Sequence, residues 1–401
     1  MRMASSENET CDTGAASVGR FPAKARAEAY SVRLEWRSEH ASHVDRLQVR
    51  ASALQADGRW VAAGMEAQRS GAEAELDGAA WCRPAGLPRV ELEGIGLPLP
   101  AALHPGRHYP ARLFGPAVGG PRDVHPVRLV TIGADGRLLL DPNHPLAAMR
   151  TRLILAPSAE VPAPGTRLAT LFEGPGMQAP PADAAACYFP PGALARRDEA
   201  SDIAFHALPR LVQHLDARCR AAVAELHGRL LRPGSRVLDL MSSHDSHLPP
   251  VPDLTVCGLG LNAEELAANP RLAERVVHDL NACPRLPWPD AHFDAMTCTA
   301  SIEYLLQPAA VLAEARRVLK PGGLMVLSFS DRWFPTKAIA VWGRLHEFER
   351  LGLALHLLRD AGFGELHSET RRGLPRPADD KYLAQRAFAD PLFAAWGYAP
   401  A

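Results

Sequence analysis

The sequence predicts an α/β protein with a mostly parallel sheet in its C-terminal half, preceded by a smaller β-rich region. Three observations carry this. From residue 209 onward, short apolar runs alternate with amphipathic helical stretches, the pattern of βαβ units. Between residues 26 and 156 the signals are instead short β-type runs broken by Gly and Pro, with no long helix expected. Between them, residues 157–205 are crowded with Pro, Ala and Gly, a composition suited to an extended connector.

Taken in order, residues 1–25 read as a tail. Strands are expected at 29–36, 90–92, 126–132 and 138–140, the last two flanking Gly-Ala-Asp-Gly, a hairpin-turn sequence. Part of the 157–205 connector is expected to cover the following domain as a lid, since so long a structureless stretch is uncommon in a compact protein. Leu211, Val212, Leu215, Ala222, Val223, Leu226 and Leu230 recur at helical spacing, predicting an amphipathic helix that stops at Pro233-Gly234. Strands follow at 236–240, 254–259, 276–277, 293–298 and 324–329. Asn262 is a candidate N-cap with Glu265 three residues on, and Pro308 occupies a first helical position in a run ending at Gly322 and Gly323. A further helix is expected over 344–361.

Composition narrows the function classes. Lys+Arg is 44 and Asp+Glu 45, a net charge of -1, so no overall field draws the chain to nucleic acid or acidic membranes. No apolar run approaches the roughly 18 residues of a membrane span. The first 25 residues lack the apolar centre of a secretory signal. Seven cysteines (Cys11, Cys82, Cys187, Cys219, Cys257, Cys283, Cys298) are scattered and never spaced as C-x-x-C, against a disulfide scaffold or zinc ribbon. A soluble, cytoplasmic protein with a small-molecule partner, and neither nucleic-acid nor membrane partner, is the expectation; oligomeric state is left open.

In open α/β sheets, ligands bind beyond the carboxyl ends of the strands, where strand order reverses. The residues following the strands are therefore the candidates: Asp239 to His247, then Gly260, Leu261 and Asn262, then Asp279, Leu280 and Asn281, then Thr299 to Tyr304. His244, Asp245 and Tyr304 are candidate catalytic residues; Glu303 and His247 lie in the same stretches. Each has a structural alternative: Asp239 capping a turn, Tyr304 as a packing aromatic, His244, Asp245 and His247 as solvated loop polars. Metal binding by that last group lacks further ligands fixed by spacing, so no metal is expected.

R-V-L-D-L, then L-P-W-P-D-A-H-F-D, then R-V-L-K-P-G-G resembles the class I S-adenosylmethionine-dependent methyltransferases over about residues 209–370, with 391–398 as a last strand. The resemblance implies a Rossmann-like, seven-stranded sheet whose last strand is antiparallel. It implies S-adenosyl-L-methionine as cofactor, held by Asp239, Leu240, Met241, Ser242, Ser243, Gly260, Asn262, Asp279, Leu280, Ala300 and Ser301. There are two departures. M-S-S-H-D-S-H replaces a Gly-rich loop, and Gly260 stands where an acidic residue usually meets the ribose hydroxyls. Asn262 or Glu264 are candidate substitutes for that acid. The D-L-M-S-S loop with S-H-L-P after it is similar to a methyltransferase-like subgroup. Beyond the fifth strand, Trp333, Phe334 and Trp342 are candidates to roof an acceptor pocket, with Arg332 or Lys337 pairing an anion; helix packing is the alternative.

In the N-terminal half, D-P-N-H-P-L-A (Asp141, Asn143, His144, Pro145, Leu146, Ala147) before an alternating strand resembles the closing part of bacterial FKBP-type peptidyl-prolyl isomerases, with Ala148 where Gly is usual. The domains expected are a tail (1–25), an FKBP-like β-domain (26–156), a connector or lid (157–205) and a methyltransferase-like domain (206–401). Methyl transfer to a small acceptor is the leading reading. A degenerate methyltransferase-fold scaffold, or a prolyl isomerase or chaperone activity from the first half, are the rivals.

Overall fold

The computed structural model describes residues 27–56, 58–77, 86–93, 103–147, 149–173 and 188–401. The expected tail, Ala148, the middle of the connector, and Cys11, Cys82 and Cys187 lie outside these residues.

Fifteen strands are described. The N-terminal half supplies β1 (Ala29–Arg37), β2 (Ala41–Arg50), β3 (Ala74–Asp77), β4 (Val90–Glu93), β5 (His108–Pro110), β6 (Pro126–Ile132), β7 (Arg137–Asp141) and β8 (Thr151–Ser158). The C-terminal half supplies β9 (Arg236–Leu240), β10 (Thr255–Gly260), β11 (Leu272–Val277), β12 (Phe293–Thr299), β13 (Leu319–Phe329), β14 (Gly364–Arg372) and β15 (Leu392–Tyr398). These seven run in the order β11-β10-β9-β12-β13-β15-β14, with β15 antiparallel to both neighbours. β9 pairs in parallel with β10 on one side and β12 on the other, so strand order reverses at β9 and a crevice opens beyond its carboxyl end.

The sheet does not stop at seven strands. β2 lies parallel to β14, Ala41 opposite Leu366 through Leu47 opposite Arg372, and the sheet continues through β1, β8 and β3 to eleven strands. A buried polar seam fixes this join. His43 Nδ1 meets Ser368 Oγ at 2.8 Å, and Asp45 accepts from Arg372 Nε at 3.2 Å and from the Thr370 hydroxyl. The remaining N-terminal strands form a small sheet, β4-β7-β6-β5, around Tyr109, Phe114, Val127, Leu129 and Leu140. Its β6–β7 hairpin turns at Gly136 with φ +81°, the left-handed conformation the Asp-Gly sequence supplies. Glu349, buried on the helix Glu347–Asp360, holds this sheet by accepting from Arg107 Nε (3.1 Å) and His108 N (2.9 Å).

Two expectations about helices need correction. The N-terminal half does contain a long helix, Gly58–Ser70, whose Trp60, Val61, Gly64 and Ala67 face the core at i, i+3 and i+4 steps. The helix expected from Leu211 begins only at Ala217, because Asp216 caps it by accepting from Cys219 N at 2.9 Å. Leu211 and Val212 lie outside it and are exposed.

Candidate functional site

Two adjoining cavities open beyond the carboxyl ends of β9, β10 and β12. The first is bounded by Met241, Ser242 and Ser243 after β9, Gly260 and Asn262 after β10, Asp279 and Leu280 after β11, and Ala300 and Ser301 after β12. The strand ends therefore bring together every expected cofactor residue except Asp239, which faces the second cavity, and Leu240, which is buried in β9 and lines neither. The two cavities share the loop Met241–Ser242–Ser243, with Ala300, Ser301 and Tyr304.

The loop after β9 does without glycine by placing Met241 at φ +58°, and Ala300 after β12 takes φ +51°. Both are non-glycine residues in the left-handed region, a local strain that concentrates at ligand sites. The neighbouring glycine is needed for space instead. A Cβ on Gly260 would lie 2.2 Å from the Ser242 carbonyl oxygen. The position where an acid is usual is thus the point where β10 touches the β9 loop. Below the loop, Asp239 accepts from Ser242 Oγ at 2.5 Å. Its complete burial pushes the carboxyl up to about 6, against the pull of hydrogen bonds from Ser242 and Ser246.

The proposed replacements for the missing acid behave differently. Asn262 is consumed by its cap: Oδ1 accepts from Glu264 N (2.9 Å) and Glu265 N (3.0 Å), and Nδ2 donates to His206 O (2.8 Å). Glu264 points to solvent, whereas Glu265, one residue on, faces the cavity. Glu265 accepts from Arg210 N at 2.7 Å and from Ser243 Oγ at 2.6 Å, leaving lone-pair sites on both oxygens. Asp279 accepts from Asn281 N (2.9 Å) and Ala282 N (3.2 Å), closing the turn after β11.

A strap over residues 202–214 forms the cavity's outer wall, contributing Asp202, His206, Arg210 and His214 at every fourth position. Sequence reading missed these four: Asp202 fell in the expected connector, and the following residues were read for the apolar face of a helix rather than for their polar side chains. Asp202 is the strap's anchor. It accepts from Arg196 Nη1 (2.7 and 2.8 Å) and Asn281 Nδ2 (2.8 Å), with Lys337 Nζ at 3.4 Å. Lys337 also donates to Ala200 O at 2.6 Å, so its charge is already committed and it does not stand free for an anionic acceptor.

The second cavity holds the candidate catalytic groups. Asp245 is held well below the usual carboxylate range, first by its hydrogen bond with His247 and also by Gln213. His244 Nδ1 lies 3.3 Å from Ser243 Oγ. Tyr304 accepts from Phe334 N at 2.8 Å, and burial pushes its hydroxyl far up, so it stays protonated. Trp333 and Phe334 line this cavity together with Arg332, whose Nη1 is 3.4 Å from Asp390. Trp342 does not: it is buried, edge-on to Phe329 at 4.9 Å, and packs the core. Among the described residues no group of three His, Cys, Asp or Glu is placed to hold a metal.

Residues 247–327 match the family described as a methyltransferase domain, so the C-terminal half carries such a domain. The ubiquinone/menaquinone biosynthesis C-methyltransferase UbiE of Cupriavidus necator is 32% identical over 115 residues, 26% of this chain and 47% of that protein. The same enzyme of Paraburkholderia xenovorans is 34% identical over 108 residues, 26% of this chain and 43% of that protein. The chain thus spans about half the length of these curated relatives. Among solved structures, a putative methyltransferase from Bacillus halodurans is 18% identical, covering 45% of this chain and 99% of its own, with a TM-score of 0.33.

Proposed function

We propose that this chain is an S-adenosylmethionine-dependent methyltransferase acting on a small organic acceptor, with the cofactor in the first cavity and the acceptor in the second. The observation that carries the reading is the cleft itself. The residues expected at four separate strand ends line one open space at the switch point, and it stays open although Met241 stands in the loop in place of a glycine. Gly260 approaches the Ser242 carbonyl so closely that no side chain fits at that point of the wall.

When bound, the cofactor supplies a methyl group already activated on a sulfonium. The protein's task is then chiefly positioning. Glu265 is the carboxylate placed to accept from ribose hydroxyls, in the role the absent acid leaves open. Ala300 and Ser301 border both cavities, and Tyr304 offers a hydroxyl that keeps its proton. Should the acceptor need to lose a proton, His244 or Asp239 would receive it; Asp245 is too weak a base while His247 holds it.

Isothermal titration with S-adenosylmethionine tests this. Saturable binding below millimolar concentration is expected, and no heat up to millimolar ligand would leave the scaffold reading. We further read residues 26–156 as FKBP-like, supported by the neighbouring strands β2, β1, β8 and β3 sharing one hydrophobic cluster with the helix Gly58–Ser70 and by the Asn143–Ala147 motif before β8. Tyr30 and Trp60 there are wholly buried as core. A structural role is therefore expected, and a proline-peptide isomerisation assay on the full chain should show no acceleration.

A further inference from the structure

The strap over residues 202–214 is built inside out. Its polar side chains Asp202, His206, Arg210 and His214 border the first cavity, while Ile203, Leu208, Leu211 and Val212 are 58%, 78%, 56% and 52% exposed. No other ten-residue stretch of the described residues exposes more than two large apolar side chains. Clustered exposure of this kind marks a contact surface, whereas single exposed aliphatics do not. Nor can the strap turn over to hide it. Asp202 is tied inward by Arg196 and Asn281, the main chain of Arg210 by Glu265, and the next helix by its Asp216 cap.

We propose that this apolar face docks on a lipid surface, placing the mouth of the cleft at the boundary between membrane and water. Three features select that partner. Four aliphatic side chains are too few to supply the roughly 800 Å² per partner of a stable protein interface, yet they suit shallow insertion among acyl chains. The face is continuous with the second cavity, because Val212 belongs to both, so an apolar acceptor leaving the lipid would meet protein without crossing water. With a net charge of -1, the attraction rests on apolar contact rather than on anionic headgroups. The absence of a membrane span, from which no membrane partner was expected, does not bear on this peripheral mode: no described helix is long and apolar enough to cross a bilayer. The acceptor's route rests on the methyl-transfer reading, whereas docking itself needs no cofactor, so vesicle binding and cofactor titration fail separately.

The test is co-sedimentation of the full chain with phosphatidylcholine vesicles at low and high salt. Binding is expected at both, and the double substitution Leu208→Ser with Leu211→Ser should lower partitioning at least tenfold without moving the melting temperature. The pair Ile203→Ser with Val212→Ser should act in the same direction, and decides the matter should the first pair fold poorly. No sedimentation at millimolar lipid, or unchanged binding by both folded double variants, overturns the proposal. So does a dimer in sedimentation velocity that these substitutions dissociate, because a second copy would then cover the face.

Discussion

Gly260 at the end of β10 and Ser242 in the loop after β9 approach until no side chain fits between them: a Cβ on the glycine would sit 2.2 Å from the serine's carbonyl oxygen. Gly260→Ala should therefore cost about 1–3 kcal/mol, the usual penalty for forcing a methyl into a packed site. Gly260→Asp, which puts a larger, charged side chain at the same point, should do worse than alanine. Thermal melts and cofactor titration of both variants check this.

Asp239 gives the protein a pH signature. Its carboxyl sits at about 6 in the folded chain against 3.8 in the unfolded one, so the folded state prefers the proton. Stability from this group is full below about pH 4, falls by about 3 kcal/mol in all as pH rises from about 4 to 6, and is gone above that. Asp239→Asn should flatten that part of the melting-temperature profile between pH 4 and 7. An unchanged slope would contradict the assignment.

Glu265 is predicted to matter more for ligand than for fold. It has two partners in the structure, both on the cavity wall. Glu265→Gln keeps the shape and removes the charge. A lost charge-assisted hydrogen bond of roughly 1.5–3 kcal/mol should weaken S-adenosylmethionine about 10- to 150-fold by titration calorimetry. Glu264→Gln, one residue earlier and facing solvent, should leave affinity unchanged.

Removing the strap's anchor should loosen the strap. Asp202→Ala leaves Arg196 and Lys337, both largely buried, without their shared carboxylate. Breaking such a buried pair costs about 3–5 kcal/mol. The visible result should be faster proteolytic cutting within residues 202–214, with weaker cofactor binding following from the lost wall.

What the sequence made legible was the chemistry placed at strand ends. Short apolar runs such as Arg236–Leu240 announce buried parallel strands, and in this architecture their carboxyl ends must converge. What stayed hidden was set by long-range contact. The helix Gly58–Ser70 carries two glycines, Gly58 and Gly64, that lower its helical signal, and packing against Tyr30 overrides them: Tyr30 Oη donates to Gly64 O at 3.2 Å. The choice of Glu265 over Glu264 depends on which residue of a six-residue helix faces inward, and the cap at Asn262 decides it. The strap's inward groups were obscured because Leu211, Val212 and Leu215 at helical spacing draw attention to an apolar face, whereas the chain there is an irregular strap that turns its polar side chains inward.

The join between β2 and β14 also carries a cost for anyone dividing the chain. A fragment beginning after residue 205 would keep β14 but lose β2, baring the main-chain donors and acceptors along one side of a nine-residue strand. Unsheltered borders of that length recruit other chains, so the excised C-terminal half should precipitate or self-assemble where the intact protein does not. The first half thus acts as a guard rail for the second, whatever else it does.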